Sequence, residues 1–150
     1  MRRQVIVGAA ALFDPYRRVL VGQRPSGGSM SDVWEFPGGK QRCGEDIRST
    51  TCREILEELG VVIPQNKLDL FEVIRHPYEA FDLVLYLFVC SHWKGKPAPM
   101  VHTRLRWIPL EQLSSYTMPP ADGPLVEKLL LAFGGAPVLK LGALCYPKIS

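Results

Sequence analysis

The stretch from Asp46 to Gly60 constrains the fold more than any other part of the chain. Residues 47–59 contain no proline or glycine, and they stand between a helix-starting and a helix-stopping residue. Asp46 has a short carboxylate able to accept from the unpaired N–H groups of a first helical turn. Gly60 suits the left-handed position that ends a helix. The spacing predicts about three and a half turns. Within them Cys52, Ile55, Leu56 and Leu59 share one face, and Glu54, Glu57 and Glu58 the roughly opposite one. The apolar face is expected to pack on a sheet and to leave the carboxylates at the surface of a cleft.

The segments around this helix supply the sheet. Residues 4–13 and 17–23 are rich in β-formers and flank Asp14-Pro15-Tyr16, which reads as the turn of a β-hairpin. Residues 25–29 form a loop, and residues 33–36 a short extended piece. Then come Pro37, Gly38 and Gly39, where two glycines permit backbone conformations closed to other residues. Residues 68–76 and 82–92 read as two strands, the second apolar enough to be covered on both faces. Residues 104–108 are a last strand. Helical pattern returns at 110–113 and at 125–133, with Pro124 in a first-turn position. The order of strands, helix, strands and helix implies an α/β fold with a mixed sheet between helices.

With 150 residues, 47% of them hydrophobic, the chain suffices for one substantial core. The domain is expected over residues 1–133, and residues 134–150 form an apolar tail with no assignable role. A net charge of +3, without runs of like charge, does not point to nucleic-acid binding. Cys43, Cys52, Cys90 and Cys145 show no C-x-x-C spacing and the histidines are dispersed, so no zinc site is expected. No apolar run reaches the roughly 18 residues of a membrane-spanning helix, and residues 5–13 lack a cleavage site. The expected location is the cytoplasm, with reduced cysteines.

Glutamates three and four apart on a helix lie about 5–6 Å from one another at Cβ, so Glu54, Glu57 and Glu58 concentrate negative charge. Taken alone this is a solvated acidic face. A divalent cation would make it favourable, since hard oxygen ligands suit magnesium, which also takes waters and phosphate oxygens. Glu45 is placed to add a further carboxylate. Arg53 is placed to orient a glutamate by a charge-assisted hydrogen bond.

The joint pattern decides between these readings. From Gly39 the chain runs five residues to Glu45, seven more, and then Arg53-Glu54-Ile55-Leu56-Glu57-Glu58-Leu59-Gly60-Val61. This resembles the signature of the Nudix hydrolases, G-x5-E-x7-R-E-U-x-E-E-x-G-U with U aliphatic, at every specified position. Seven fixed residues give a chance match on the order of one in 10⁸ per window. Residues 34–40, Trp-Glu-Phe-Pro-Gly-Gly-Lys, and Pro119-Pro120-Ala121-Asp122 resemble segments of the MutT-type and CTP pyrophosphohydrolase members. The resemblance covers roughly residues 3–133. It implies the Nudix fold, an α/β/α sandwich. It also implies that the carbonyl of Gly39 and the carboxylates of Glu54, Glu57 and Glu58 bind magnesium, with manganese as a substitute.

The implied reaction is hydrolysis of a nucleoside triphosphate to monophosphate and pyrophosphate, with water attacking the β-phosphorus. Clustered metal neutralises charge and activates water. Glu54 is then the expected proton acceptor, held by Arg53, with Glu57 completing the catalytic set. For the nucleotide, the resemblance puts Asp122 against the base, where a carboxylate accepts from N–H groups. The same resemblance implies that Phe36 packs against the base and that Arg24 meets the nucleotide. Each has a plainer reading: a helix cap for Asp122, a core aromatic for Phe36, a solvated cation for Arg24. One departure stands out. A glutamate that reaches the metal site in MutT-like relatives is replaced, counting back from Trp107, by Val101 followed by His102. His102 is either a substitute at that site or a surface residue of the loop.

The expected function is therefore removal of oxidised nucleotides such as 8-oxo-dGTP by a monomer or homodimer. The alternatives are a CTP or modified-dCTP pyrophosphohydrolase, and a nucleotide-binding module without catalysis. Loss of catalysis normally goes with a broken signature, and every glutamate of the signature is present here.

Overall fold

Pairing along β1 (Gln4–Leu12) organises the molecule. In the computed structural model, which describes residues 2–28 and 30–134, this strand lies between β4 (Gly38–Lys40), antiparallel to it, and β6 (Asp82–Cys90), parallel to it. β5 (Asp69–Pro77) pairs antiparallel with β6 and completes a mixed sheet of order β4-β1-β6-β5. A second, antiparallel sheet of order β3-β2-β7 comprises β3 (Trp34–Glu35), β2 (Arg18–Gln23) and β7 (Arg104–Pro109).

The period-two alternation of side chains sorts the mixed sheet's residues onto two cores. Val5, Ala9 and Ala11 of β1, with Leu83, Leu85, Leu87 and Val89 of β6, face one core, which α2 (Asp122–Phe133) closes with Leu125, Leu129 and Phe133. Ala10 and Leu12, with Phe88 and Cys90, face the other, where Ile55 and Leu59 of α1 (Ile47–Leu59) pack. Helices on the two faces of a mixed sheet make the α/β/α architecture expected of the chain. The prediction of one mixed sheet changes in detail, since β2, β3 and β7 form a separate sheet.

The hairpin reading is corrected. The Asp14 turn forms, with the Arg17 N–H donating to the Asp14 carbonyl at 3.2 Å and Asp14 Oδ1 accepting from the Tyr16 and Arg18 N–H groups. Yet β1 and β2 enter different sheets, and the isolated bridge Phe13–Val19 lies just beyond the end of β1. Nine register pairs to β6, from Gln4–Asp82 to Leu12–Cys90, outweigh what a local turn can offer.

Helix α1 has the boundaries read from its caps. Asp46 accepts from Ser49 N–H at 2.9 Å, and Gly60 takes φ 73° with its N–H on the Leu56 carbonyl. Ile55 and Leu59 are buried and Cys52 packs against the same core as expected, but the buried face is shifted at its edges. Leu56 is 50% exposed, whereas Thr50 and Thr51 are buried. Each residue turns the helix by about 100°, which carries Leu56 away from the Ile55–Leu59 line. Thr51 tolerates burial because its hydroxyl donates to the Ile47 carbonyl at 2.8 Å. Gly8 lets the helix come close, since a Cβ there would press on Thr51 and lie 3.2 Å from Ile47 Cδ1.

The helical pattern at 110–113 is a 3-10 turn, Leu110–Ser115, and the last helix begins three residues earlier than expected. Among the described residues no helix is long and apolar enough to cross a membrane, and Cys43, Cys52 and Cys90 are free thiols. Residues 135–150 of the tail, with Cys145, lie outside the described residues.

Candidate active site

The seam between β4 and α1 gathers the acidic side chains. Gly38 N–H donates to Glu58 Oε1 at 3.1 Å. Gly39 lies directly under Glu54, for a Cβ there would land on the Glu54 carboxyl group. Neither glycine has a positive φ, so they are required here by close approach and not by left-handed backbone. Glu57 stands at the rim with a side chain 46% exposed.

Arg53 ties the seam together. Its Nε and Nη2 meet the two oxygens of Glu45 at 2.6 and 3.0 Å, its Nη1 donates to Glu54 at 2.8 Å and lies 3.3 Å from Glu57, and its Nη2 also reaches the Lys40 carbonyl at 3.0 Å. Glu45 additionally accepts from Thr50 Oγ1 and from the Arg42 N–H, both at 2.9 Å. Its carboxylate is therefore occupied as an anchor for Arg53. The Arg53 hydrogen bonds, with that N–H, pull its pKa down to about 2. The same pairing raises the Arg53 guanidinium. Glu58 goes the other way, pushed up to about 7 chiefly by burial and partly by Glu35 and Glu54, against a lowering by His102 and the Gly38 N–H.

Among the described residues no three acidic, histidine or cysteine side chains already converge into a closed cage. The donor set nevertheless fits a hard divalent cation of the magnesium type. It consists of carboxylates that run from the part-buried Glu54 and Glu58 to the exposed Glu57 at the rim, and magnesium keeps several waters and binds through few carboxylates plus phosphate. The backbone of Gly39, bare of a side chain, lies against the Glu54 carboxylate.

A cleft of about 580 Å³ adjoins this seam. Its walls include Gly38, Gly39 and Lys40 beside the carboxylates, and also Arg24, Phe36 and Asp122. The three nucleotide-contact candidates thus share one pocket with the glycines of the acidic seam. Asp122 is 5% exposed and opens α2, whose cap is Ala121, so it is not the N-cap. It accepts from the Phe36 N–H, and burial, with Glu35 nearby, pushes its pKa up to about 7 against the lowering effects of that bond and of Arg24. Phe36 is at once a core residue, 4% exposed, and part of the cleft wall. Arg24 is ion-paired, its Nε 2.6 Å from Glu35.

Sequence reasoning missed several lining residues. Glu35 and Lys40 sit inside the Trp34–Lys40 run, which is a usable signal. Tyr78 and Phe81, with ring centroids 5.2 Å apart, come from the β5–β6 turn, and nothing local marks them for a pocket. The surface reading of His102 is also overturned. Its side chain is 2% exposed and its Nε2 lies 2.9 Å from Glu35 Oε2.

The chain is similar to known proteins over most of its length. A NUDIX domain family model matches residues 8–128. The 8-oxo-dGTP diphosphatase of Escherichia coli (strain K12) is 30% identical over 126 residues, covering 84% of this chain and 95% of its own. The CTP pyrophosphohydrolase of the same organism is 29% identical over 129 residues, covering 85% and 93%. The solution structure of the E. coli ORF135 protein superposes with a TM-score of 0.78 at 26% identity, covering 91% of this chain and 95% of that one.

Proposed function

The chain belongs to the Nudix hydrolase family, whose members generally use a divalent metal, and from that premise we propose that it is a magnesium-dependent nucleoside triphosphate pyrophosphohydrolase acting on oxidised nucleotides such as 8-oxo-dGTP. The observation that carries this reading is a single cleft whose walls hold both Gly39, against Glu54, and the buried Asp122.

In the proposed reaction a water oxygen attacks the β-phosphorus, and the bond from that phosphorus to the oxygen bridging it to the α-phosphorus breaks. The bridging oxygen leaves with the nucleoside monophosphate, and pyrophosphate is the other product. Glu54 accepts the proton of the water, and Arg53 holds Glu54 in place through the hydrogen bond from Nη1. Glu54, Glu57, Glu58 and the Gly39 carbonyl would hold the cation. When bound, it supplies charge neutralisation on the phosphates and a more acidic water. Lys40 and Arg24 add positive charge along the cleft for the polyphosphate and nucleotide. Phe36 offers an apolar surface to the base, and Asp122 a polar group that discriminates among bases.

The likeness to a CTP pyrophosphohydrolase supports a second reading with cytidine nucleotides as substrate. Relative kcat/KM for 8-oxo-dGTP, dGTP, dCTP, CTP and a nucleotide sugar, with product identification, separates them. Preference for 8-oxo-dGTP with release of monophosphate and pyrophosphate is expected. Preference for CTP or dCTP would move the assignment to the second reading. Tight nucleotide binding without turnover would make the chain a binding module.

A further inference from the structure

His102 sits just before β7, where the Thr103 N–H donates to the Gln23 carbonyl at 2.9 Å and so extends the β2–β7 pairing by one residue. From there its ring turns back over Gly22. A Cβ on Gly22 would lie 2.5 Å from His102 Cγ and 2.6 Å from Cδ2, so the imidazole occupies the volume a β2 side chain would otherwise fill. Gly22 is paired directly across the sheet with Glu35. Side chains directly opposite in an antiparallel pair project from the same face. The ring that replaces a side chain at Gly22 therefore meets the Glu35 carboxylate, and the two are 2.9 Å apart.

A carboxylate only accepts, so the proton of this bond is on His102 Nε2. Among the described residues His102 Nδ1 has no hydrogen-bond partner, which leaves Glu35 as the imidazole's one polar attachment there. Glu35 in turn uses its other oxygen for Arg24 Nε at 2.6 Å. Arg24 and Glu35 line the cleft, and His102 is not among the residues that line it.

We propose that His102 is a positioning residue of the nucleotide cleft, seated in the space left by Gly22 so that its Nε2 fixes Glu35, the carboxylate that holds Arg24 at the cleft wall. This rests on the reading of the cleft as a nucleotide site. It gives His102 a role in orienting the cleft wall and none in proton transfer. An acceptor held at both oxygens cannot rotate, and a guanidinium gripped at Nε keeps its plane fixed, so the energy of orienting Arg24 is spent before the nucleotide arrives.

The test is titration calorimetry with a nucleoside monophosphate, the expected product, which reports on the cleft without hydrolysis. His102→Ala and Gly22→Ala are each expected to weaken binding about tenfold, as the loss of one charge-assisted hydrogen bond implies. His102→Gln, whose amide can still donate to Glu35, should stay within about threefold of wild type. Because His102 acts through Arg24, the double variant Arg24→Ala/His102→Ala should bind within about threefold of Arg24→Ala alone. In turnover the His102→Ala effect should fall mainly on KM, with a smaller fall in kcat. Additive losses in the double variant, or unchanged binding by His102→Ala, would overturn the role of His102 alone. Failure of the wild-type protein to bind any nucleoside monophosphate would instead overturn the reading of the cleft.

Discussion

Arg53 and Glu45 are joined at two points, Nε to Oε2 at 2.6 Å and Nη2 to Oε1 at 3.0 Å, and this planar pairing aims the remaining Arg53 nitrogen at Glu54. A lysine ammonium cannot reproduce the fork. Arg53→Lys is therefore expected to lower kcat by about a hundredfold or more, on the scale of misplacing a catalytic group, with a much smaller change in melting temperature. Loss of stability in proportion to activity would contradict it.

The same pairing has a signature in acid. Glu45 is held near 2 in the folded protein, below its ordinary value of about 4.3 when unfolded. Its pairing stabilises the fold above about pH 4.3 and is lost as pH falls toward 2. The melting-temperature deficit of Glu45→Gln should be full at pH 6 and shrink below pH 4. A deficit independent of pH would refute the linkage.

Asp122 predicts the opposite slope. Its pKa is raised to about 7 by burial, above an unfolded value of about 3.9. The protonated form favours folding, so this contribution is complete below about pH 4 and declines as pH rises to about 7. Asp122→Asn keeps an acceptor for the Phe36 N–H and does not titrate. Its melting temperature relative to wild type should therefore rise from pH 4.5 to pH 7.5. Parallel profiles would count against it.

Glu57 lies at the rim, with a side chain 46% exposed, and carries little of the core. Glu57→Gln should reduce turnover by about a hundredfold or more while shifting stability by no more than about 0.5 kcal/mol, as for surface substitutions. A variant that melts early and keeps its specific activity would contradict a role as cation ligand.

Packing gives a prediction independent of function. Ile55 is fully buried and Leu56 is 50% exposed. Denaturant unfolding should show Ile55→Ala losing about 2–5 kcal/mol. Leu56→Ala should lose no more than about 0.5 kcal/mol.

Features set by nearby residues were legible in the sequence, and features set by distant ones were not. Helix α1 could be bounded because Asp46 and Gly60 act within one turn of its ends. Its glutamates could be grouped because helical spacing alone brings them together. The expectation that Leu56 packs inward failed because the burial direction is chosen by β1 and by the threonines that fit against it. The hairpin failed because β1 is flanked by β4 and by β6, the latter more than seventy residues away. The burial of His102 depends on a missing side chain at Gly22, eighty residues earlier, and on Glu35 across the sheet. No local pattern carries that information. Gly38 and Gly39 were marked correctly as special, but for the wrong physical reason.

In the proposed enzyme the carboxylates of α1 and the Gly39 carbonyl hold divalent cations against a nucleotide in the adjoining cleft. Anomalous diffraction from crystals soaked with manganese and a non-hydrolysable nucleoside triphosphate tests it directly. A manganese peak is expected about 2.0–2.3 Å from oxygens of Glu54, Glu57 or Glu58 and from phosphate oxygens, with the base between Phe36 and Asp122. A nucleotide bound with no metal peak at those glutamates, or a peak at another set of residues, would contradict it.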